Sequence, residues 1–294
     1  MAEANVQEIK MNQVHLSKKA WASLIAKWIF LGVMIVFTLY PVIYTVLGSL
    51  KTNAELTQGG GFFPEVWHFE NYYKAFIQAD FTQYTLNSVI VSASVTLLAT
   101  VTTSLAGFVM ARRDFAGKKI LLALYMSMMF VSLGSVTLYP IYELLRALKI
   151  NKTMLALVIA LTGGQATNVF LVMGFTKGIP RELDEAAIID GCSIYGVYTR
   201  IILPLSKPIL AVVALFSFRN AWNDYITSLI MTISMPKLQT LTVAVVQLKY
   251  SVNAAAEWHI MLAGASIAII PILIVYLFAN KQFIAGLTAG AVKG

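Results

Sequence analysis

Long uncharged apolar runs separated by short polar connections dominate the chain. Five of these runs can each cross about 30 Å of hydrocarbon, because a helix rises about 1.5 Å per residue. A sixth run starts at Pro208 and is interrupted by Arg219, Asn220, Asn223 and Asp224 before it resumes. Each run predicts a helix, since backbone inside a membrane must satisfy its own hydrogen bonds. The six predicted spans cover about residues 28–50, 84–110, 120–142, 153–176, 208–230 and 258–280.

The composition also favours a membrane protein. Of the 294 residues, 58% are hydrophobic and only 12% are charged, and the mean hydropathy is +0.73. Soluble domains carry roughly 25% charged residues, so the composition argues against a soluble globule. The net charge of +8 does not indicate nucleic-acid binding, because the basic residues flank the apolar runs and leave no compact basic domain. The predicted fold is an all-α polytopic membrane protein with six transmembrane helices.

Lysine and arginine in the connections predict how the spans are oriented. Fourteen of the 22 lie on the side that carries both termini, seven lie on the other side, and Arg219 lies within a span. The bias places the more basic side in the cytoplasm, although the connection with Arg146, Lys149 and Lys152 opposes it. The prediction is a cytoplasmic lead over residues 1–20 and a six-span membrane domain over 21–294, with a cytoplasmic loop at 177–207 and a cytoplasmic tail at 281–294.

The loop at 177–207 carries the most informative residue pattern in the chain. An acidic residue and two alanines are followed, at fixed spacings, by a glycine and by an Ile-x-Leu-Pro segment. These residues are Glu185, Ala186, Ala187, Gly191, Ile201, Leu203 and Pro204.

Local rules predict that this loop is a helix, a glycine turn and a second helix. Pro180 suits the first position of a helix, where its missing N–H costs nothing, and the acidic residues at 182, 184 and 185 suit the positive end of the helix dipole. Gly191 suits the left-handed position after a helix. Ser193 could cap the second helix, which Pro204 would end.

The first of these helices presents two small residues on one face. Leu183, Ala186, Ala187 and Asp190 share that face at helical spacing, so a partner could approach it closely, and Glu185 lies beside it. Periodicity alone supports equally well an amphipathic hairpin that rests on its own bundle. The complete set of fixed positions favours docking on a partner.

The pattern resembles the EAA loop of binding-protein-dependent ABC importer permeases, which reads EAA, three residues, G, nine residues and I-x-L-P. The resemblance extends along the chain. Residues 174–192 and the segment Trp222-Asn223-Asp224-Tyr225 are similar to the carbohydrate-uptake branch of the family. The end of the chain, Leu287 to Gly290 and the four residues after it, is similar to MalG-like permeases.

This resemblance implies a type I ABC importer permease fold in a bacterial cell membrane, and a transport subunit that is not itself an enzyme. It implies that the EAA loop docks on a separate ATPase, which holds ATP and Mg and drives alternating access. The implied partners are a second permease, two ATPase copies, an extracytoplasmic sugar-binding protein, an oligosaccharide substrate and the lipid bilayer. It also suggests that the tail contacts the ATPase pair through Gly286, Leu287, Thr288, Ala289 and Gly290. The chain has no Gly-rich phosphate loop of its own and therefore no predicted cofactor.

Polar residues within the fifth span are candidates for the substrate path. Charged residues at this depth are costly and normally face a cavity or a partner. Asn220 and Asp224 are four residues apart and are predicted to share a helix face, and Arg219 and Asn223 a neighbouring one. The sequence is consistent with two roles for these polar residues. One is the lining of a sugar path by Asn220, Trp222, Asn223 and Asp224. The other is a structural network that ties this span to its neighbours.

Two functions are alternatives to transport by an ABC importer. An ion-coupled secondary transporter could use Arg219 and Asp224, but such folds show matching broken helices in both halves, and the sequence predicts one polar interruption. A membrane enzyme would need a catalytic motif, and none is found. Cys192 allows no internal disulfide, and the three histidines have no metal-binding spacing.

Overall fold

The computed structural model describes residues 18–130, 134–250 and 256–291, and within these ranges it contains helices and no strand. The α-helices, in chain order, are α1 (Lys18–Gly48), α2 (Asn53–Thr57), α3 (Glu70–Gln78), α4 (Phe81–Arg112), α5 (Lys118–Phe130), α6 (Leu138–Ala147), α7 (Met154–Thr162), α8 (Ala166–Lys177), α9 (Glu182–Ile189), α10 (Ile194–Leu205, with a π turn at Tyr198–Ile202), α11 (Lys207–Asn223), α12 (Ile226–Thr232), α13 (Leu241–Gln247) and α14 (Trp258–Ala291). Short 3-10 turns lie at Gly134–Thr137, Pro236–Leu238 and Leu248–Tyr250.

Three described helices are each long and apolar enough to cross a membrane unbroken. They are α1, α4 and α14, and the count rises to five if each of two bent helix pairs is one span. The surface of α1 shows why these helices need lipid: Phe37 is 73% exposed and Trp28 is 66% exposed. The all-helical membrane class is confirmed, whereas the predicted number of six spans is not.

Three of the predicted spans are not single helices. In the run 120–142, α5 ends at Phe130 and a new helix begins at Leu138, with residues 131–133 outside the described part. The run 153–176 breaks between α7 and α8, which are bent by 54°. The run 208–230 breaks after Asn223, where α11 ends and Asp224 is extended. Hydropathy did not reveal the first two breaks because an apolar run keeps its composition across a bend, whereas the polar residues at 219–224 mark the third.

The long helix α4 organises the bundle. It packs against α11, α8 and α7, while α14 packs against α11, α3 and α1. The contact between α4 and α8 is close at Gly107, because a Cβ built there would lie 2.6 Å from Cγ1 of Val172 and 3.0 Å from the backbone nitrogen of Met173. Glycine permits this approach of the two backbones.

Segment 51–80 lies at the end of α4 opposite to the EAA loop, and side-chain hydrogen bonds hold it in place. Asn71 is buried and donates to the backbone oxygens of Ser49 and Lys51 at 2.9 Å each. Lys51 is itself buried and donates to the backbone oxygen of Gly61. The aromatic residues at 63, 67 and 73 are exposed.

The chain ends were predicted as a lead and a tail outside the spans. Residues 1–17 of the lead lie outside the described residues, and α1 already begins at Lys18. Helix α14 continues past residue 280 to Ala291 without a break, so Gly286 to Gly290 are helical. Residues 292–294 lie outside the described residues.

Candidate functional site

The EAA loop folds as two helices joined by a glycine turn, as predicted. Helix α9 has its acidic residues in the first turn, and its last carbonyls accept from Gly191 and Cys192 at 3.0 and 2.9 Å. Gly191 has a φ of +84°, which L side chains rarely adopt. Ser193 Oγ accepts from the backbone N–H of Gly196 at 3.2 Å and caps α10. Pro180 lies two residues before α9 and not at its first position, because Arg181 takes the N-cap position and Glu182 begins the helix.

Helix α10 contains a wide turn just before its proline. The N–H of Leu203 bonds the oxygen of Tyr198, five residues back. Pro204 has no N–H to continue the ladder, and α10 ends one residue later at Leu205. A 77° bend then leads into α11 through Ser206, which is buried. The hairpin is therefore continuous with α11 through this bend.

The inner side of the hairpin is packed against the bundle. Ala187 is 6% exposed and belongs to an apolar cluster with Phe108 of α4 and Val197 of α10. The Tyr198 ring packs against the Phe108 ring at a tilt of 44°, with 5.2 Å between the ring centroids, and its hydroxyl lies 2.9 Å from Ser104 Oγ. The predicted face of α9 is not wholly free for a partner, since Ala187 packs into the bundle whereas Leu183 is 42% exposed. Sequence spacing gives the direction of a side chain on a helix but not the side on which the bundle lies.

The outer side of the hairpin is exposed and apolar. Ile189 is 85% exposed and Tyr195 is 71% exposed, and they flank the glycine turn. Ile188 is 50% exposed, and Glu185 and Ala186 are exposed beside it. Of the other motif residues, Ile201 and Leu203 are half-buried, and Pro204 is exposed. The fixed motif positions do not indicate the apolar tip, because the isoleucines at 188 and 189 fall outside them.

An ion pair ties α9 to the end of α4. Arg112 Nε lies 2.8 Å from Asp184 Oδ2, and the two side chains are only 5% and 15% exposed. Arg112 also donates to the backbone oxygen of Ile179 at 2.9 Å. A small cavity of about 140 Å³ lies beside the pair and is bordered by Arg113, Arg181 and Glu185 among others. Local sequence rules do not predict this ion pair, since its partners are 72 positions apart.

The polar residues of the fifth span do not form one face. Trp222 is buried at 3% and donates through Nε1 to the oxygen of Ala268 at 3.3 Å. Asp224 lies beyond α11, and its Oδ1 accepts from the N–H and the hydroxyl of Ser228 at 2.7 and 3.0 Å. The expected i, i+4 relation between Asn220 and Asp224 is therefore wrong. Among the described residues, no carboxylate lies within 4.0 Å of Arg219.

A polar cavity of about 440 Å³ opens where α7 and α8 meet, and it is called the break cavity here. Its wall includes the segment between the two helices and the exposed side chains Arg219 and Asn220 of α11. Asn168 and Ser217, both buried, join the two sides, with 3.3 Å between Nδ2 and Oγ. The lining also includes Gly163, Gly164, Gln165, Thr167, Arg219 and Asn220.

The described residues contain no cluster of three or more His, Cys, Asp or Glu that could hold a metal ion. Cys192 is a free thiol, half-buried under α10.

Comparison with known proteins assigns the family. The family model of the binding-protein-dependent transport system inner membrane component matches residues 103–287. The chain is 30% identical to the arabinooligosaccharides transport system permease protein AraQ of Bacillus subtilis (strain 168), with 92% of this chain and 96% of AraQ covered. It is also 30% identical to the sulfoquinovosyl glycerol transport system permease protein SmoH of Agrobacterium fabrum (strain C58), with 91% and 93% covered.

A solved structure shares the fold. One chain of a bacterial ABC transporter involved in the import of the acidic polysaccharide alginate superposes with a TM-score of 0.74 at 20% identity, and the match covers 91% of this chain and 98% of that chain. The fold and the apolar spans define a helical membrane component of an ABC importer. The chain belongs to the binding-protein-dependent transport system inner membrane components, among the sugar permeases of ABC transporters. Its relatives are transport permeases rather than enzymes.

Proposed function

We propose that this chain is one of two permease subunits of an ATP-driven oligosaccharide importer, and that the α9–α10 hairpin docks on a separate ATPase. The relatives named for arabinooligosaccharide and sulfoquinovosyl glycerol transport support a sugar as the substrate. The partners are a second permease, two ATPase subunits that hold ATP and Mg, and an extracytoplasmic sugar-binding protein. Both termini lie in the cytoplasm, and the helical tail from Gly286 to Gly290 contacts the ATPase pair.

The exposed apolar tip of the hairpin is the observation that carries this proposal. Ile189 and Tyr195 are 85% and 71% exposed at the end of a short helical hairpin. Exposed apolar groups of this size beside polar ones are typical of protein–protein contacts, in which a few bulky side chains supply most of the binding energy. Glu185, exposed at the same tip, offers a carboxylate to a cation or N–H of the partner.

The packing of the hairpin provides a mechanical path from this tip to the membrane. The Arg112–Asp184 pair fixes α9 to α4, and α10 passes into α11 at the bend near Ser206. A displacement of the docked tip therefore moves α4 and α11 together. Because α11 carries Arg219 and Asn220 at the break cavity, the same movement alters the cavity wall.

The substrate path is proposed to pass the break cavity on the side of Asn220 and Asn223, both exposed. Trp222 and Asp224 support this wall from behind, through the core and through the start of α12. The ion-coupled alternative has no support from the geometry, because Arg219 and Asp224 do not pair and the Asp224 carboxylate serves as a cap.

The test is ATPase activity of the co-expressed complex in proteoliposomes, with and without a sugar-loaded binding protein. Stimulation by the loaded binding protein is expected for the wild type. Ile189→Asp at the tip should prevent the ATPase from co-purifying. Ile77→Asp is the matched control, since Ile77 is 57% exposed at the opposite end of the bundle, and it should leave co-purification intact. If no ATPase co-purifies with the folded wild-type protein, the proposal is rejected.

A further inference from the structure

We infer that the break cavity is a substrate site for a sugar that carries an acidic group, and that Arg219 binds this group. The inference rests on the proposed function and specifies its substrate class. It also assigns a direct role in substrate contact to this chain rather than to the second permease alone.

The two walls of the break cavity lie at the same depth in the membrane. Gln165 lies twelve residues before Lys177, where α8 ends, and Arg219 lies twelve residues after Lys207, where α11 begins. At about 1.5 Å per residue, each is about 18 Å from the side of the EAA loop. A hydrocarbon core of about 30 Å places both just beyond its middle.

The break in the fourth span is itself evidence for a hydrated path. Gly163 and Gly164 are exposed, and Gly164 has a φ of +69°. Backbone that leaves the helix at this depth is stable only when it is buried in protein or lines a water-filled cavity. These glycines are exposed in the single chain and line the break cavity, so the freed backbone has room for water there.

The lining is uncharged except for one cation. Gln165, Thr167 and Asn220 supply amides and a hydroxyl of the kind that bind sugar hydroxyls, and Arg219 supplies a guanidinium. No Asp or Glu borders the cavity, and Arg219 has only a long 3.5 Å contact to Asn220 Oδ1. A guanidinium at membrane depth is costly without a negative partner.

A sugar acid satisfies this arrangement. The planar guanidinium binds a carboxylate or sulfonate through two parallel hydrogen bonds, which gives both affinity and orientation. The cavity volume of about 440 Å³ falls within the range of small-molecule sites. A neutral sugar would leave the arginine without a counter-charge, so selection for acidic cargo follows from the electrostatics.

The experiment measures ATP-dependent uptake of labelled sugars by the complete complex in proteoliposomes. The probes are the disaccharides digalacturonate, dimannuronate and diglucuronate and the sulfonated sugar sulfoquinovose, each beside its neutral counterpart of equal size. The wild type should take up at least one acidic probe and prefer it to the neutral counterpart. Arg219→Gln should reduce that uptake at least tenfold, and Arg219→Lys should retain part of it, while stimulation of the ATPase by the binding protein persists.

A second variant tests the charge without removing the arginine. Asn220→Asp places a carboxylate beside Arg219, so it should reduce acidic uptake in the same way. Arg146→Gln, on a surface arginine that is 66% exposed, is the control and should change nothing.

Several outcomes would overturn the inference. The first is a wild type that responds to its loaded binding protein but takes up only neutral probes, or none of the panel. The second is an equal loss of acidic and neutral uptake in Arg219→Gln. The third is failure of the second permease to co-purify with Arg219→Gln. The last result would show that Arg219 pairs with the other permease. Absence of any stimulated ATPase in the wild type would instead reject the proposed function.

Discussion

Arg112 at the end of α4 and Asp184 in the first turn of α9 form a buried ion pair, with 2.8 Å between Nε and Oδ2. Although this distance is short, the N–H is not aligned for a hydrogen bond, and Asp184 Oδ1 has no partner among the described residues. The pair thus acts mainly through charge. It holds the hairpin against α4, which under the proposed function receives the displacement of the docked tip.

Removing one partner of this pair should be costly. Asp184→Asn leaves the Arg112 guanidinium buried without a counter-charge, which typically destabilises a protein by about 3–5 kcal/mol. We expect lower thermal stability of the hairpin region and loss of stimulated ATPase. The double variant Arg112→Met with Asp184→Leu should recover stability, because apolar pairs replace buried ion pairs well. Hydrogen exchange of residues 179–190 distinguishes the variants, and equal protection in wild type and Asp184→Asn would contradict the role.

The glycine turn of the hairpin should tolerate few substitutions. Gly191→Val places a β-branched residue at a φ of +84°, and a left-handed backbone costs about 1–2 kcal/mol for ordinary residues. We expect loss of ATPase stimulation with the membrane bundle intact. No atom lies within 4 Å of a Cβ at this position, so the effect is one of backbone conformation alone.

Two control variants isolate that cause. Gly191→Asn should be tolerated, because asparagine enters the left-handed region more readily. Gly196→Ala lies five residues away within α10, where a Cβ would meet its neighbours at ordinary contact distances of 3.5 Å or more. It should leave stimulation unchanged. If Gly191→Val and Gly196→Ala behaved alike, the turn conformation would not be the determining factor.

The contact of α4 with α8 should be sensitive to any side chain at Gly107. Gly107→Ala brings a methyl group to 3.0 Å from a backbone nitrogen, so one helix must shift. We expect destabilisation of about 1–3 kcal/mol and a lower midpoint of thermal unfolding in detergent. Gly32→Ala in α1, where no atom lies within 4 Å, serves as the control. Its unfolding midpoint should equal or exceed that of the wild type.

Asp224 should act as a helix cap rather than as a substrate ligand or an ion carrier. Asp224→Ala removes the acceptor of two hydrogen bonds to Ser228, and loss of a cap costs about 1 kcal/mol. Asp224→Asn keeps an acceptor oxygen and should leave uptake within about twofold of the wild type. Abolished uptake by a stable Asp224→Asn complex would show instead that the charge itself is used.

The short helix α2 contains a carboxylate with a strongly lowered pKa. Backbone N–H groups of Glu65 and Thr52 donate to Glu55 at 2.9 and 2.7 Å, and they lower the pKa of Glu55 to about 2. Because the folded form favours the ionised group, its stabilising effect is fully present above the ordinary value of 4.5. The effect is lost as the pH falls from there through about 2.

Hydrogen exchange of residues 52–65, corrected for intrinsic rates, checks this pH dependence, because Glu70, whose pKa is lowered by its hydrogen bond with His68, lies outside this stretch. The wild type should keep its protection between pH 6 and pH 5, both above the ordinary pKa, and lose it progressively below. Glu55→Gln should be less protected at every pH and show no such transition. Glu65→Gln is the control, since only the backbone of Glu65 contacts Glu55. A transition that persisted in Glu55→Gln would assign the titration to another group.

The local features of the EAA loop could be predicted because they depend on neighbours in the sequence. The left-handed Gly191, the Ser193 cap and the acidic first turn follow from rules that span a few residues. The apolar runs likewise predicted the membrane class, since hydropathy depends only on composition. The family followed from the spacing of the loop motif, and the comparisons confirm it.

Tertiary packing decided the rest. The inward position of Ala187, the Arg112–Asp184 pair and the exposed tip at Ile189 depend on where α4 lies relative to the hairpin. The bends after Thr162 and Asn223 depend on what the freed backbone and the Asp224 carboxylate can bond to in three dimensions. The sequence therefore determined the class, the family and the local turns of this protein, whereas the choice of buried faces and the walls of the break cavity arose only from long-range contacts.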